Sequence, residues 1–352
     1  MTTPTWAHTA LASVLARAAR THTEATPRFP LSAAPDTGRW TTTRNGSWTG
    51  GFWAALLRLR ARHTRAASDR AAAADCTARL ARWATADTAT RGLILWYGTA
   101  LAADDPAATA LKARAAEACH AAYDPELGLV PWGEAFGGPR HVARADAAPG
   151  LVPLLATAGP RPAATAAAHL RRHLVLCRAG ALAWRHEPAT GWRPLTDPPP
   201  GWSRGEAWLL LAVADALLHL PPRLSDRFHE EARRRTAAPG ALVPPADRAD
   251  PDGPLDTSAA AITAVALLKL GHLPGPEGAA HRRRGEAVLR RLVEAHLTRG
   301  SANGTARPAG MLLDGCHDAA SGTAVRHELI WGDFFLALGL ALLTGLVDAR
   351  EI

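Results

Sequence analysis

The residues whose types and spacing most clearly indicate binding or catalysis lie in the segment GWSRGEAW, which spans residues 201–208. Ser203 and Glu206 have the spacing of a capping box directly before an apolar run, so we expect a helix to begin at Ser203. Arg204 then falls in the first helical turn, where a cation opposes the helix dipole. A carboxylate on the protein or on a ligand should compensate it, because the guanidinium can bind such a group with two parallel hydrogen bonds. Trp208 lies four residues further on, on the same helical face.

Residues that act at helix starts need an architecture that brings those starts together, and the sequence predicts one made mostly of helices. Helical periodicity with plausible ends occurs about twelve times, whereas alternating extended patterns are short. The predicted helices span residues 5–24, 48–63, 67–87, 91–103, 105–122, 145–158, 160–178, 203–219, 225–237, 256–271, 276–297 and 328–346. Twelve helices in hairpin pairs predict an all-α fold, an (α/α)6 barrel of six helical hairpins forming a single domain over residues 1–352. An irregular helical bundle or solenoid is the alternative.

Several predicted helices open with a polar or aromatic cluster and continue as nearly pure apolar runs. The segments are NGSWTGGFWAALLRL, RADAAPGLVPLLA, WSRGEAWLLLAVADALL, DTSAAAITAVALLKL and HELIWGDFFLALGLALL. A helix that is apolar on nearly all sides must be buried on most of them, as the inner helices of a barrel are. Their N-termini would converge on one face and present unpaired N–H groups and positive dipole ends. Such a ring suits an anion such as a carboxylate.

Composition and charge narrow the class of protein. The chain has 352 residues, of which 47% are hydrophobic, and a formal net charge of +8. Scattered arginines carry most of that charge, and the one dense run, HRRRGEAVLRR from His281, has a helical pattern typical of a solvated helix face. The sequence contains no nucleic-acid-binding motif, so we expect no nucleic-acid partner. The positive net charge of the protein suits an acidic substrate.

The cysteines and the N-terminal segment predict that the protein resides in a reducing compartment and has no membrane partner. Cys76, Cys119, Cys177 and Cys316 are far apart and have no metal-binding spacing, so we expect reduced thiols in a cytoplasmic protein and no metal site. Residues 1–20 predict an amphipathic helix rather than a signal peptide. The sequence contains no run of about eighteen apolar residues, so we expect no membrane span.

Five segments of the chain resemble the unsaturated glucuronyl hydrolases, glycoside hydrolase family 88, and the related unsaturated rhamnogalacturonyl hydrolases. WSRGEAW resembles the W-[SA]-R-G-Q-x-W motif of that family, and SWTGGFWAALL resembles its W-T-x-G-F-W segment. DTSAAAITAVALLKL resembles D-S-S-A-A-A-I-A, and IWGDFFLALGLALL resembles the C-terminal I-[WY]-G-D-Y-[YF]-x-L-E-A-L. EPATG, beginning at Glu187, resembles a D-P-x-T-G turn. The matches follow the family's order, cover most of the chain and imply the (α/α)6-barrel fold.

The resemblance implies an unusual glycosidase chemistry that acts on a 4,5-unsaturated uronic acid at the non-reducing end of an oligosaccharide. A carboxylic acid protonates C4, water adds at C5, and the resulting hemiketal opens and releases the aglycone. This hydration needs no metal or nicotinamide cofactor. It does need a carboxyl group that stays protonated until it meets the alkene carbon, which burial beside apolar surface can provide.

The resemblance also assigns roles to individual residues. Asp146, in RADAAPGLVPLL, stands where the family has its acid/base aspartate, although from the residues alone a helix N-cap is the simpler interpretation. Arg204 would hold the uronate carboxylate or an adjacent sugar, between walls formed by Trp202 and Trp208. The full set of predicted substrate-binding residues is Trp48, Trp53, Thr90, Trp132, His186, Trp202, Arg204, Glu206 and Trp208. The alternative interpretation of Trp48 and Trp53 is that they are core residues. Asp256 and Asp333 are interpreted as caps or structural hydrogen-bonding groups.

The chain departs from the family pattern at three places. Where the family has a second aspartate in an H-D-x-G-F segment, this chain has DTATRGLILWYG, which places Thr90 at the aspartate position and Ala89 at the histidine position. An H-Q-G-Y segment is replaced by WRPLTDPPPG, and Glu206 replaces the usual glutamine. Asp87 is close to Thr90 in sequence but would point elsewhere on a helix.

Three functions are therefore open at the level of the sequence. The protein is a divergent hydrolase of an unsaturated uronide or similar enol ether, or an (α/α)6-barrel enzyme recruited to lyase, dehydratase or cyclase chemistry in secondary metabolism. The third possibility is a non-catalytic sugar or metabolite binder. Retention of Asp146, Arg204 and Trp132 argues against a mere binder, and loss of the second aspartate argues against the usual form of the hydrolase.

Overall fold

Helices dominate the computed structural model, which describes residues 4–238, 240–300 and 307–352. The α-helices in these residues are α1 (Thr5–Ala25), α2 (Gly50–Thr64), α3 (Ala67–Ala78), α4 (Tyr97–Ala100), α5 (Pro106–Ala121), α6 (Leu151–Ala156), α7 (Pro160–Cys177), α8 (Ser203–His219), α9 (Pro222–Ser225), α10 (Phe228–Thr236), α11 (Thr257–Leu270), α12 (Gly278–Ala295) and α13 (Ile330–Thr344). A π-helical segment, Gly92–Trp96, runs directly into α4. The strands are β1 (Phe29–Ala33), β2 (Trp40–Thr43), β3 (Val142–Arg144), β4 (Ala183–Glu187), β5 (Gly191–Pro194), β6 (Gly315–Asp318) and β7 (Thr323–Leu329).

Six helices form a closed inner ring. In ring order they are α2, α4 with its π-helical segment, α6, α8, α11 and α13, and α13 returns to pack on α2. Each inner helix has an outer partner: α3 on α2, α5 on α4, α7 on α6, α10 on α8, α12 on α11 and α1 on α13. Five inner helices thus pair with an outer helix that follows them in the chain, and α13, the last helix, pairs with α1, the first. This arrangement confirms the predicted (α/α)6 barrel.

Aromatic side chains fill the interior of the ring. Phe52, Tyr97, Trp208, Phe334 and Phe335 come from four different inner helices, and their neighbouring ring centroids lie 4.9–6.1 Å apart. All five side chains are buried. Aromatic packing of this kind contributes beyond the burial of apolar area alone. These rings therefore form one aromatic cluster shared by four inner helices.

Two small antiparallel sheets precede inner helices and were not predicted from the sequence. One has the strand order β2-β1-β7-β6, and the other has the order β3-β4-β5. β7 ends at Leu329 and α13 begins at the next residue, whereas β3 ends at Arg144 and leads into the turn that carries Asp146. Strands of three to seven residues are too short to show a clear alternating pattern. Their pairing depends on residues far apart in the chain.

Some predicted helices are interrupted in the structure, and the break at residues 145–158 matters most for function. Residues Ala145–Ala147 form a 3-10 turn, and α6 begins only after Gly150, whose φ is 70°. A β-carbon at Gly150 would overlap the Gly92 carbonyl group, and one at Gly92 would overlap the Leu151 backbone. The two glycines therefore allow the starts of two neighbouring inner helices to touch.

The four cysteines are all buried and unpaired. None of the helices in the described residues combines the length and apolar character that a bilayer crossing requires.

Candidate active site

Asp146 lies shortly before the start of the inner helix α6, in the 3-10 turn Ala145–Ala147 between β3 and α6. Its carboxylate is 19% exposed. The N-cap of α6 is Gly150, and the Asp146 side chain caps no amide of the described backbone. The simpler interpretation of Asp146 as a helix N-cap is therefore wrong, and the side chain is left for another role.

Arg144 is the partner of Asp146. Its Nε donates to Asp146 Oδ1 at 3.2 Å, and its Cζ lies 5.1 Å from the ring centroid of Trp132. The Asp146 carboxylate raises the pKa of Arg144 above its ordinary value, although burial acts in the opposite direction. Cation–π attraction adds to the ion pair. We call Asp146, Arg144 and Trp132 the Asp146 cluster.

Two buried histidines of α7 support the turn that carries Asp146. The Val130 amide donates to Nδ1 of His169 at 3.0 Å, so the hydrogen is on Nε2, which donates to the Ala147 carbonyl at 3.2 Å. His173 donates from Nδ1 to the His169 carbonyl at 2.9 Å. Burial lowers the pKa of His169 well below its usual value and lowers the pKa of His173 to about 4. Both rings are therefore neutral near pH 7 and act as hydrogen-bonding supports.

Thr90 lies next to the Asp146 cluster. The amide of Ala89 donates to the Trp132 carbonyl at 3.1 Å, and Thr90 Oγ1 is 2.8 Å from Thr88 Oγ1. Thr90 is buried, with a relative exposure of 2%. Asp87 instead forms a surface ion pair with Arg140 at 3.1 Å. The position where the family pattern has a second aspartate is thus occupied by a pair of neutral hydroxyl groups.

Arg204 is buried, and its guanidinium donates to groups of the protein. Nη1 donates to Asp256 Oδ2 and to the Cys316 carbonyl, both at 2.5 Å, and Nη2 donates to the His317 carbonyl at 2.7 Å. Asp256 is also the N-cap of α11, as expected, because it accepts from the amides of Ser258 and Ala259. The carboxylate that compensates Arg204 therefore belongs to the protein, and this arrangement gives no support to the predicted binding of a ligand carboxylate by Arg204.

The predicted capping box at the start of α8 does not form. The helix does begin at Ser203, as predicted, but the Ser203 hydroxyl has no hydrogen-bond partner among the residues described. Glu206 forms ion pairs with Arg235 of α10 and, at 3.6 Å, with Arg248. Arg235 is only 5% exposed, and a buried cation is unfavourable unless carboxylates pair with it. Glu206 therefore pairs with Arg235 instead of capping the start of α8. Glu206 thus joins α8 to α10 through its ion pair with Arg235.

Aromatic side chains surround Arg204. Its Cζ lies 5.1 Å from the ring of Trp202 and 5.5 Å from the ring of Trp331, and Trp331 lies 4.8 Å from Trp48. The His317 ring is 5.3 Å from Trp331. Burial and the nearby Arg204 lower the pKa of His317 to about 4, so the ring is neutral near pH 7. We call Arg204, Trp48, Trp202, His317 and Trp331 the Arg204 cluster; Trp48 and Trp202 are its half-buried tryptophans.

Three predicted binding residues lie elsewhere. Trp53 and Trp208 are each 1% exposed, and both are core residues, so the predicted Trp208 wall is not formed in this structure. His186 lies on β4 against Trp192, with ring centroids 5.2 Å apart. Strand pairing sets Arg144 opposite Ala183, three residues before His186, so His186 is not brought into the Asp146 cluster.

Sequence reasoning missed Arg144, His169, His173, His317 and Trp331. Arg144 had a weak signal, since it precedes Asp146 by two residues in the segment RAD. Trp331 also had a signal, because it lies in the segment IWGDFFLALGLALL, which resembles the family's C-terminal segment. The three histidines had none, because their partners are distant in the chain.

Comparison with known proteins supports the fold. No protein-family model matches the chain, and no curated protein matches its sequence. The solved structure of an unsaturated glucuronyl hydrolase from Bacillus sp. GL1, described as responsible for the degradation of glycosaminoglycan, matches with a TM-score of 0.79 and 22% identity over 95% of this chain and 96% of that chain. An unsaturated glucuronyl hydrolase specific for heparin matches with a TM-score of 0.81 and 18% identity over 97% of both chains.

A third match contains a bound ligand. A mutant of the unsaturated glucuronyl hydrolase from Streptococcus agalactiae, complexed with dGlcA-GalNAc6S, has a TM-score of 0.74 and 18% identity over 96% of this chain and 90% of that chain. The structural agreement spans nearly the whole chain in each case. This chain therefore has the (α/α)6-barrel fold of the unsaturated glucuronyl hydrolases.

Proposed function

We propose that the protein is a divergent hydrolase that hydrates a 4,5-unsaturated uronic acid or a similar enol ether, with Asp146 as the general acid and base. The observation that carries the proposal is that Asp146 lies before the start of the inner helix α6, half-buried and paired with Arg144, and is uncommitted to any helix cap. Solved structures with this fold are unsaturated glucuronyl hydrolases, which supports a glycoside hydrolase-like function. The substrate would be an anionic oligosaccharide or a smaller uronide.

The proposed chemistry needs one carboxyl group that first donates and then accepts a proton. Protonated Asp146 transfers its proton to C4 of the vinyl ether, and positive charge develops at C5 and the ring oxygen. Water then adds at C5 and returns a proton to the Asp146 carboxylate. The hemiketal opens to a ketone at C5, and the hemiacetal at C1 releases the aglycone alcohol. Trp132 and Trp202 are half-buried and offer aromatic faces for the sugar rings.

The replacement of the second aspartate favours a second candidate. Thr88 and Thr90 supply only hydroxyl groups where the family pattern has a carboxylate. A barrel recruited to lyase, dehydratase or cyclase chemistry in secondary metabolism, or a sugar or metabolite binder, would not need that carboxylate. Loss of the second acid is the observation that keeps these alternatives open.

The test is the variant Asp146→Asn, assayed by the ultraviolet absorbance of the conjugated C=C bond, which hydration removes. A general acid contributes about 10²- to 10⁴-fold to the rate, so the variant should lose at least about 10²-fold while its circular dichroism stays unchanged. Asp87→Asn is the matched control, because Asp87 pairs with Arg140 at the surface and should not affect turnover. A loss below about tenfold in Asp146→Asn would assign the proton transfer to another group.

A further inference from the structure

We propose that Arg144, rather than Arg204, recognises the carboxylate of the ligand. The inference rests on the proposed function for the class of ligand, an unsaturated uronide, but its carboxylate-binding part can be tested without turnover. The arginine motif assigns this role to Arg204, but the two guanidinium groups differ in their hydrogen bonds to the protein.

Arg204 has little capacity left for a ligand. Both of its Nη atoms donate to protein acceptors, and its side chain is only 4% exposed. A ligand carboxylate would have to displace Asp256 or the carbonyl groups of β6. Displacing Asp256 would leave a buried carboxylate unpaired, which is strongly unfavourable. Arg204 is therefore a structural cation that ties α8 to the start of α11 and to β6.

Arg144 has the capacity that Arg204 lacks. Its side chain is 23% exposed, and among the described residues Nε is its one donor with a hydrogen-bond acceptor. The two Nη groups remain for a ligand, and a guanidinium presents such a pair as a fork that matches a carboxylate. Trp132 lies against the guanidinium and restricts its orientation.

The geometry also places the ligand carboxylate on the same guanidinium as the proposed acid. In a 4,5-unsaturated uronic acid the carboxylate is attached to C5, and the carbon that receives the proton is the adjacent C4. A carboxylate held by the Nη groups of Arg144 therefore brings C4 towards the Asp146 carboxyl group bound at Nε.

The experiment measures binding separately from hydration. The probes are a saturated glucuronyl disaccharide, which has no C=C bond to hydrate, and its methyl ester, which lacks the negative charge. Calorimetry is performed on the native protein, Arg144→Gln, Arg144→Lys and the matched control Arg204→Lys, each checked for folding by circular dichroism. Arg144→Gln should weaken binding of the acid about 10- to 100-fold, as loss of charged hydrogen bonds does, and leave the ester unchanged.

Arg144→Lys keeps the charge and loses the fork, so it should weaken binding of the acid less than Arg144→Gln does, and it serves as the test if the glutamine variant fails to fold. Equal effects of the Arg144 variants on acid and ester would overturn the inference, as would a native protein with no preference for the acid. Bleaching of an unsaturated uronide with no Arg144 effect on binding would leave the proposed function standing and remove this inference. An acid-selective Arg144 effect without any bleaching would retain the carboxylate site and remove the hydrolase.

Discussion

At the scale of single residues, the chemistry of a side chain depends on which partners the fold supplies. Arg204, in the first turn of α8, and Arg144, at the end of β3, both lie beside tryptophans and a carboxylate. Both Nη atoms of Arg204 donate to acceptors of the protein, whereas neither Nη atom of Arg144 has an acceptor among the described residues. A motif that names one arginine therefore does not decide which of the two meets a ligand.

Arg204→Lys tests the structural role. A lysine keeps the charge, but its single ammonium group cannot donate to all three acceptors that the planar guanidinium reaches. We expect the free energy of unfolding to fall by about 1–3 kcal/mol, the cost of leaving buried acceptors unsatisfied. Binding of a carboxylate ligand and of its methyl ester should change by the same factor. Urea unfolding and calorimetry measure the two effects, and a loss confined to the carboxylate ligand would return Arg204 to the binding site.

A second residue-scale prediction concerns Asp333, which is buried in α13 beside Glu328. Arg17 neutralises Glu328 through contacts of 2.8 and 3.0 Å, and burial together with the Glu328 carboxylate raises the pKa of Asp333 well above its usual value. A carboxyl group with a raised native pKa stabilises the fold below its unfolded pKa, and that contribution is lost as pH rises through the native pKa.

The native protein should therefore become less stable relative to Asp333→Asn as pH rises from about 5 to about 8. An asparagine keeps the acceptor for the Leu312 amide and cannot ionise. Urea unfolding at several pH values measures the difference, with the exposed Asp75→Asn as the surface control. A difference between native and Asp333→Asn that does not change with pH would contradict the assignment.

At the scale of elements, ion pairs join the outer layer to the inner ring. Glu206 of α8 and Glu231 of α10 both bind Arg235, and Glu231 also accepts from Arg178 of the α7 end at 3.1 Å. The exposed fraction of the side chain is 32% for Glu206 and 2% for Glu231. The two carboxylates should therefore contribute very differently to stability, although they share a partner.

Glu206→Gln restores the residue of the family motif and should have a small effect. The pair is partly exposed and Arg235 keeps Glu231, so the free energy of unfolding should fall by about 0.2–1 kcal/mol, and any bleaching rate should be unchanged. The matched change Glu231→Gln removes a buried carboxylate and should cost about 3 kcal/mol or more. Urea unfolding ranks the two, and a marked change of turnover in Glu206→Gln would restore its predicted place in the binding site.

At the scale of the whole molecule, the closed ring has the (α/α)6-barrel fold of the unsaturated glucuronyl hydrolases. The starts of α6 and of the π-helical segment touch through Gly92 and Gly150. Thr90 is therefore held close to the turn of Asp146 by the barrel itself. Its hydroxyl cannot replace a carboxylate in orienting an acid or a water molecule.

We accordingly predict weak or absent bleaching of common unsaturated glucuronyl disaccharides by the native protein. Thr90→Asp should increase the bleaching rate if the rest of the site suits a uronide. Thr90 is buried, so an added charge is more costly than at an exposed helix start, and circular dichroism must confirm folding. Thr90→Asn is the uncharged control of similar size. Robust bleaching by the native protein would contradict the prediction, and a folded but inactive Thr90→Asp would favour the recruited-enzyme alternative.

Local patterns were sufficient to predict the helices, because helical periodicity and end signals lie within a few residues of each other. The predicted helix at 203–219 coincides with α8, and the twelve predicted segments correspond to the hairpins of the ring. Resemblance to the family directed attention to Asp146 and Thr90, and the structure places their segments side by side. Short strands and helix breaks were missed, since their cause is pairing or close contact with distant segments.

The sequence by itself therefore determined the helical hairpins and the apolar inner faces, and its resemblance to the family directed attention to Asp146 and Thr90. Only the tertiary structure decided how the charges are partnered. Arg204 meets Asp256 from 52 residues away and carbonyl groups from 112 and 113 residues away, and Asp146 is supported by a histidine of another helix. The physical reason is that a buried charge takes whatever partner the packed barrel brings within hydrogen-bond distance, and that choice leaves no trace in local periodicity.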